Sequence, residues 1–295
     1  MPQLIRGSRR ANLSTEKMAK RAGTKKTKMN AAMIWGAAIV GVFVLVAVLA
    51  PVLAPYDPYK MGIPYIKPSA EHLLGTNDVG QDLLSELIYG TRISLFIGIF
   101  TSIIVTVVSL TLSLLSGYYK GAIDKAVTAI TNITMGLPDL ALTILLIAYL
   151  NPGKLSVIIS ISLTAWTGTA RILRSRVLQL CEMPFIKIEQ AIGMNDFIIM
   201  IKHIVPNLKD IILSRAALSV SAAMMTEAGL SFLGLGDFGA KSWGTILHYA
   251  FYQNGVIRNY YWWYLPPILC TSLAVLGFML LGYYGAQKAK LVKNA

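Results

Sequence analysis

"IEQAIGMNDFIIMIKHIVPN", residues 188–207, lies between two long apolar runs and breaks their pattern. It begins with an acid at Glu189, is interrupted at Gly193, restarts at Asn195-Asp196 and ends on Pro206-Asn207. Apolar and polar residues alternate through it in a helical rhythm. Just upstream, Pro184 suits the first turn of a short helix, and Gly193 suits its end. Asn195 suits an N-cap, with Asp196 favourable in the first turn that follows. The spacing predicts two short amphipathic helices on a membrane surface, with Pro206 opening the next span. Such a hairpin either floats on lipid headgroups or forms a docking knob for a partner. The pattern alone leaves both open.

The rest of the chain says what surrounds this interruption. Hydrophobic residues make up 55% of the sequence and charged residues 14%, with a mean hydropathy of +0.59. Soluble domains carry about 25% charged residues. Runs of about 20 apolar residues span a bilayer, and their backbone groups are satisfied only as helices. The fold class is therefore an all-α polytopic membrane protein. Six spans are expected, at about 32–53, 93–117, 123–149, 155–180, 207–234 and 262–285, the third interrupted by "GLPD" at 136–139. The first run is too long for a signal-peptide core and lacks a small-x-small cleavage site, so it reads as an uncleaved anchor.

The net charge of +13 could suggest nucleic acid, but its distribution fits membrane flanks. Arg6, Arg9, Arg10, Lys17, Lys20, Arg21, Lys25, Lys26 and Lys28 crowd the N-terminus, and Lys288, Lys290 and Lys293 close the chain. With both termini cytoplasmic, 21 Lys and Arg fall inside and six outside, as positive charge prefers. No nucleic-acid partner is expected. Contact with anionic lipid heads is.

The outer segment of about 54–91 begins "APYDPY", whose prolines exclude a helix there. Further on, Leu83, Leu84, Leu87 and Ile88 share one face and predict a helix that either lies on the outer surface or contacts substrate directly. A second outer segment, about 235–261, carries Trp243, Tyr249, Tyr252, Tyr260 and Tyr261, which read as interfacial anchors. Cys181 and Cys270 fall at the end of a span and inside another, so no disulfide is expected.

Catalytic machinery is not expected. His72, His203 and His248 are scattered, without Cys or carboxylate partners at metal spacing. "GLGDFGAKSW" (234–243) imitates a phosphate loop, but Ala240 separates Gly239 from Lys241 and a membrane span precedes it. Three residues stand out at membrane depth. Pro138 should kink the third span, and Asp139 beside it reads either as a pore or gate element or as a partner for freed backbone groups. Glu227 should face protein or water, through helix packing or through substrate. The small residues Ala222, Ala223, Ala228, Gly229 and Gly234 allow close helix approach.

"GMNDFIIMIKHIVPN" (193–207) resembles the EAA loop of bacterial and archaeal ABC-importer permeases, with Gly193 and Pro206 at the spacing of the peptide branch. Lys187-Ile188-Glu189 stands where Glu-Ala-Ala is usual, so the acid is displaced to Glu189. "LAPYDPY" (53–59), "HLLGTNDVGQDLLSELIYGTRISL" (72–95), "EAGLSFLGLG" (227–236) and "SWG" (242–244) resemble the C-type permease subunit of dipeptide, oligopeptide and nickel importers, collinearly over about residues 30–285. The resemblance implies a type I importer permease fold, a binding-protein-dependent inner membrane component in the cell membrane. It implies a homologous second permease, two cytoplasmic ATPases that bind ATP and Mg, and an extracytoplasmic substrate-binding protein. Glu189, Ala191, Gly193, Asp196 and Pro206 would form the coupling element. This chain would hold no cofactor and perform no covalent chemistry. Peptides are the expected substrate, with nickel or a metal chelate as alternative; a proton-coupled secondary transporter is the alternative of another class. The expected organisation is a mobile basic tail at 1–29, a first helix and outer segment at 30–91, a permease core at 92–285 with its coupling loop at about 182–206, and a tail at 286–295.

Overall fold

The computed structural model describes residues 31–151 and 153–293, with side chains followed to 285. The basic tail expected at 1–29 lies outside the described residues. Helix α1 spans Ala31–Val48, and after Leu49 a single turn, α2, covers Ala50–Leu53. Then come α3 (Leu83–Tyr119), α4 (Gly121–Met135), α5 (Asp139–Leu150) and α6 (Lys154–Cys181). The interruption supplies α7 (Pro184–Ala191) and α8 (Asp196–Ile198), followed by a π-helical stretch, Ile199–Ile204. Helices α9 (Val205–Phe232), α10 (Trp243–Tyr252) and α11 (Tyr261–Lys293) complete the chain.

Helix α3 is the centre of the bundle and packs on α6 and α9, while α11 packs on α9. Its buried face is small and polar: Ser94, Gly98, Thr101, Ser102, Ser109, Ser113, Ser116 and Gly117. In lipid there is little hydrophobic force between helices, so close approach and interhelical hydrogen bonds hold them together. The hydroxyls of Ser109 and Ser113 donate to the carbonyls of Trp166 and Ala170 on α6, each at 2.8 Å. Ser102 donates to the Ala216 carbonyl on α9 at 2.8 Å. At Gly98 a Cβ would stand 2.5 Å from Met224 Cγ, so the contact needs glycine. Helix α1 lies against α11 through Gly36, whose missing Cβ leaves room for the Gly277 carbonyl.

Among the described residues, four helices are long and apolar enough to cross a membrane, or five if α4 and α5 count as one bent span. Helix α9 has the length, at 28 residues, but carries Lys209, Asp210, Arg215 and Glu227. Several sequence expectations change. Residues 83–88 do not lie on a surface but form the first turns of α3, with Leu83, Ser85 and Glu86 buried. At 37 residues, α3 is about 55 Å long, so it outruns a hydrocarbon core of about 30 Å. Its leading turns can therefore pack against the segments 54–82 and 233–260. Pro138 does more than kink: α4 and α5 meet at 91°. Trp243 is no interfacial anchor, since it is 1% exposed and opens α10, a helix within the segment expected at about 235–261. Helix α11 continues past 285 to Lys293.

The bundle has two distinct ends. At one, residues 54–82 and 233–260 fold over the starts of α3 and α11. Glu86 and Lys241 pair there at 2.5 Å, with Asn77 donating to Glu86 at 3.0 Å. At the other end stand Lys120 and the 182–204 segment, joined by a 2.8 Å ion pair from Lys120 to Glu182.

Candidate functional site

The 182–207 segment folds as its punctuation predicts up to Ile198. Pro184 occupies the first turn of α7, where its missing N–H costs nothing. Gly193 takes φ +76°, the left-handed region open to glycine, and reverses the chain. The Asn195 side chain accepts the Phe197 N–H at 2.9 Å as an N-cap. The expected second break is absent. From Asp196 the helix runs through the π-helical stretch into α9, and Pro206 sits in the first turn of that continuous helix. Proline offers no N–H to the Lys202 carbonyl, and the turn widens so that Val205 N–H reaches back to Met200 O. The loop and α9 are one element.

Three attachments seat the loop. Ile186, Ile199, Met200 and Ile204 bury themselves against Leu114, Val177 and Leu180 at the ends of α3 and α6. Tyr118 Oη donates to Asp196 Oδ1 at 2.7 Å. Glu189 Oε1 meets His203 Nδ1 at 2.9 Å, clasping α7 to the π-helical stretch. The displaced acid is therefore engaged within the loop itself. Ala191 is exposed at the end of α7, beside Ile192. Ile188, Ile192, Phe197 and Ile201 project outward, between 48% and 71% exposed. Nearby, Lys120 and then Lys187 hold the fully exposed Glu182 carboxyl down to about 2.

The residues singled out at membrane depth do not converge on this loop. Pro138 caps α5 and Asp139 occupies its first turn, exposed and without a side-chain partner among the described residues. Glu227 is 1% exposed and sits in a serine nest: Ser94 donates to it at 3.3 Å and Ser231 at 2.8 Å. Ser94 Oγ also accepts the Trp243 N–H at 3.2 Å, so the nest fastens α3, α9 and α10. This geometry is that of helix packing. Lys241 in the phosphate-loop mimic is paired with Glu86, and Ser242 caps α10 through a capping box. Among the described residues no group of three or more His, Cys, Asp or Glu could hold a metal.

A family model described as the binding-protein-dependent transport system inner membrane component matches residues 109–290. The chain belongs to this family. A second model, the N-terminal transmembrane domain of oligopeptide transport permease C, matches residues 24–74 of the permease. A dipeptide transport system permease protein of Alkalihalophilus pseudofirmus is 34% identical, over 89% of this chain and 86% of its own. The Bacillus subtilis dipeptide and oligopeptide transport system permease proteins are each 32% identical, over 83% and 84% of this chain and 78% and 81% of theirs. An inward-facing structure of the MetNI methionine ABC transporter superposes with a TM-score of 0.56 at 19% identity, covering 71% of the permease and 97% of that chain. This likeness shows the fold of an importer membrane subunit.

Sequence reasoning gives His203 no partner at metal spacing and does not single out Tyr118, yet both hold the loop. Glu189 and His203 lie on separate helices, so only the reversal at Gly193 makes them neighbours. Tyr118 carries no signal, because its partner Asp196 lies beyond α4, α5, α6 and α7.

Proposed function

We propose that this chain is one of two membrane subunits of an ATP-driven importer of di- and oligopeptides in the cell membrane. It crosses the membrane six times, with the bent α4–α5 pair as one span and α9 as another, and both termini are cytoplasmic. The charge distribution supports that orientation. A homologous permease completes the translocation path. An extracytoplasmic binding protein delivers the peptide, and two ATPases, not this chain, bind ATP and Mg and hydrolyse the nucleotide.

The observation that carries this reading is the loop's form. A short helix showing Ile188 and Ile192, followed by exposed Phe197 and Ile201, stands on a buried anchor at the bundle's end. An amphipathic helix seats such residues in an apolar groove of its partner. Glu189, Ala191, Gly193, Asp196 and Pro206 shape and hold that knob and do not perform chemistry. The relatives named for dipeptides and oligopeptides support the substrate class.

Uptake of labelled dialanine and of nickel, in cells with and without this chain, tests the reading. Dialanine uptake that depends on the chain is expected. Nickel uptake alone would move the substrate to metal. Transport by the isolated chain in liposomes under a pH gradient, without ATPases, would replace the importer reading with a proton-coupled carrier.

A further inference from the structure

Arg215 lies ten residues into α9, about 15 Å along the helix from Val205. A cation at that depth is expensive unless it faces protein or water. Among the described residues Arg215 has no ion-pair partner, and its buried Nε makes no hydrogen bond. It borders a cavity of about 110 Å³ between α3, α6 and α9, lined also by Thr101, Val105, Gly168, Thr169 and Ser219. The Thr101 hydroxyl is likewise buried and unpartnered. The volume suits a carboxylate with its water, since a water molecule takes about 30 Å³. It does not suit a helix.

The surface around this cavity differs from the bundle's lipid-facing sides. Along α9, Arg215, Ser219, Ala222 and Thr226 recur at helical spacing, and α6 offers Ala165 and Gly168 opposite. At Gly168 a Cβ would meet nothing within 4 Å. Elsewhere the same helices expose Leu155, Ile159, Leu163, Leu213 and Met225. The cavity wall is mixed, with Val105, Leu218 and Ala223 beside the hydroxyls, and Arg215 supplies its one charge.

We propose that Arg215 and Thr101 form an anion site in the translocation path that takes the carboxylate of the peptide in transit. A guanidinium pairs with carboxylate through parallel charged hydrogen bonds, and Thr101 supplies a further donor. The site rests on the peptide-import reading above. It adds a binding step within the membrane subunit, separate from capture by the binding protein.

The test uses the full transporter, with its second permease, ATPases and binding protein, in proteoliposomes supplied with labelled dialanine. Arg215→Gln should lower maximal uptake about 10-fold or more, the loss of a charge-assisted hydrogen bond. The half-saturating concentration of loaded binding protein should stay within about 3-fold of wild type, because capture precedes the membrane site. Arg215→Lys, which keeps the charge, should retain uptake within about 3-fold of wild type. Undiminished uptake by Arg215→Gln overturns the site, and so does equal failure of the Lys and Gln variants. Loss of the second permease from the purified Arg215→Gln complex would assign the arginine to the subunit interface instead. A wild-type transporter that does not import dialanine overturns the peptide reading itself, which is a separate result.

Discussion

Gly193 separates the shape of the 182–207 loop from its surface. Its φ of +76° lies in the left-handed region, and an added Cβ would meet nothing within 4 Å. Any side chain therefore fits sterically within this chain, and the cost of substitution is conformational. That cost is about 1–2 kcal/mol for an ordinary residue and less for Asn, which tolerates the region; a β-branched residue is worse off. Helix α7 is held mainly by one fully buried side chain, Ile186, and by the Glu189–His203 pair. Burial of an isoleucine contributes about 1.5–3 kcal/mol. The strain is thus comparable to the anchor, so α7 should unseat locally while the bundle stays folded. A penalty of 1–2 kcal/mol shifts the seated fraction by about 5–30-fold. Peptide imported per ATP hydrolysed, in proteoliposomes, should fall in the order Gly193, Asn, Ala, Val. Amide exchange over residues 184–192 should rise in the same order. An Asn variant as damaged as Val would refute the conformational account and place a partner directly against Gly193. A Val variant with normal coupling would refute the loop's role altogether.

Three further outcomes follow from the same geometry. Tyr118→Phe removes the 2.7 Å bond to the exposed Asp196, which should loosen the loop by about 1 kcal/mol and speed amide exchange at 196–199 roughly fivefold; unchanged exchange would show that the bond holds nothing. Gly244→Ala sets a Cβ 2.8 Å from the Ala228 backbone, which cannot give way; a loss of about 1–3 kcal/mol should appear as a lower thermal midpoint, and an unaltered midpoint would contradict the close approach of α9 and α10. Glu182 is a carboxylate held low by Lys120 and Lys187, so its contribution is present above its ordinary value of 4.5 and fades as pH falls toward about 2. The difference between wild type and Glu182→Gln should therefore be small, vanish across that window and disappear in about 1 M salt, because the group is fully exposed; a difference that grows on acidification would reverse the sign.

What the sequence made legible was chemistry decided within a few residues. Pro184 at a helix start, Gly193 at a reversal and Asn195 as a cap each act on their own backbone, and each stands where expected. The membrane class followed from apolar runs for the same reason. What stayed hidden depended on distant partners. Residues 83–88 show one apolar face, yet the opposite face is buried too, because Glu86 meets Lys241 from beyond α9. Trp243 is drawn inward by the Leu87 carbonyl and the Phe43 ring, which no local pattern announces. The serine row of α3 reads as mild polarity in an apolar run, and only the carbonyls of α6 and α9 give it purpose. Arg215 counts in the sequence only as one more cytoplasmic-flank charge, because its neighbours Thr101 and Thr169 come from α3 and α6.

The misread break at Pro206 bears most on mechanism. A loop ending at a proline hinge could move without disturbing the span that follows. Here the hydrogen bond from Val205 to Met200 carries the helix across the proline, and the buried Ile199, Ile204 and Leu208 run along one packed face. A partner pressing on Phe197 or Ile201 would therefore displace α9 as a lever and would not merely flex a hairpin. Two features on that lever respond differently. The Glu227 nest ties its far end to α3 and α10, so it would serve as the fulcrum. Arg215 lies between loop and fulcrum, on the strip of small residues, so a tilt of α9 would move it less than the loop but would still shift it relative to Thr101 on α3. A site divided between two helices would tighten or open as one moves against the other. An importer requires that alternation of any group that holds its cargo in transit.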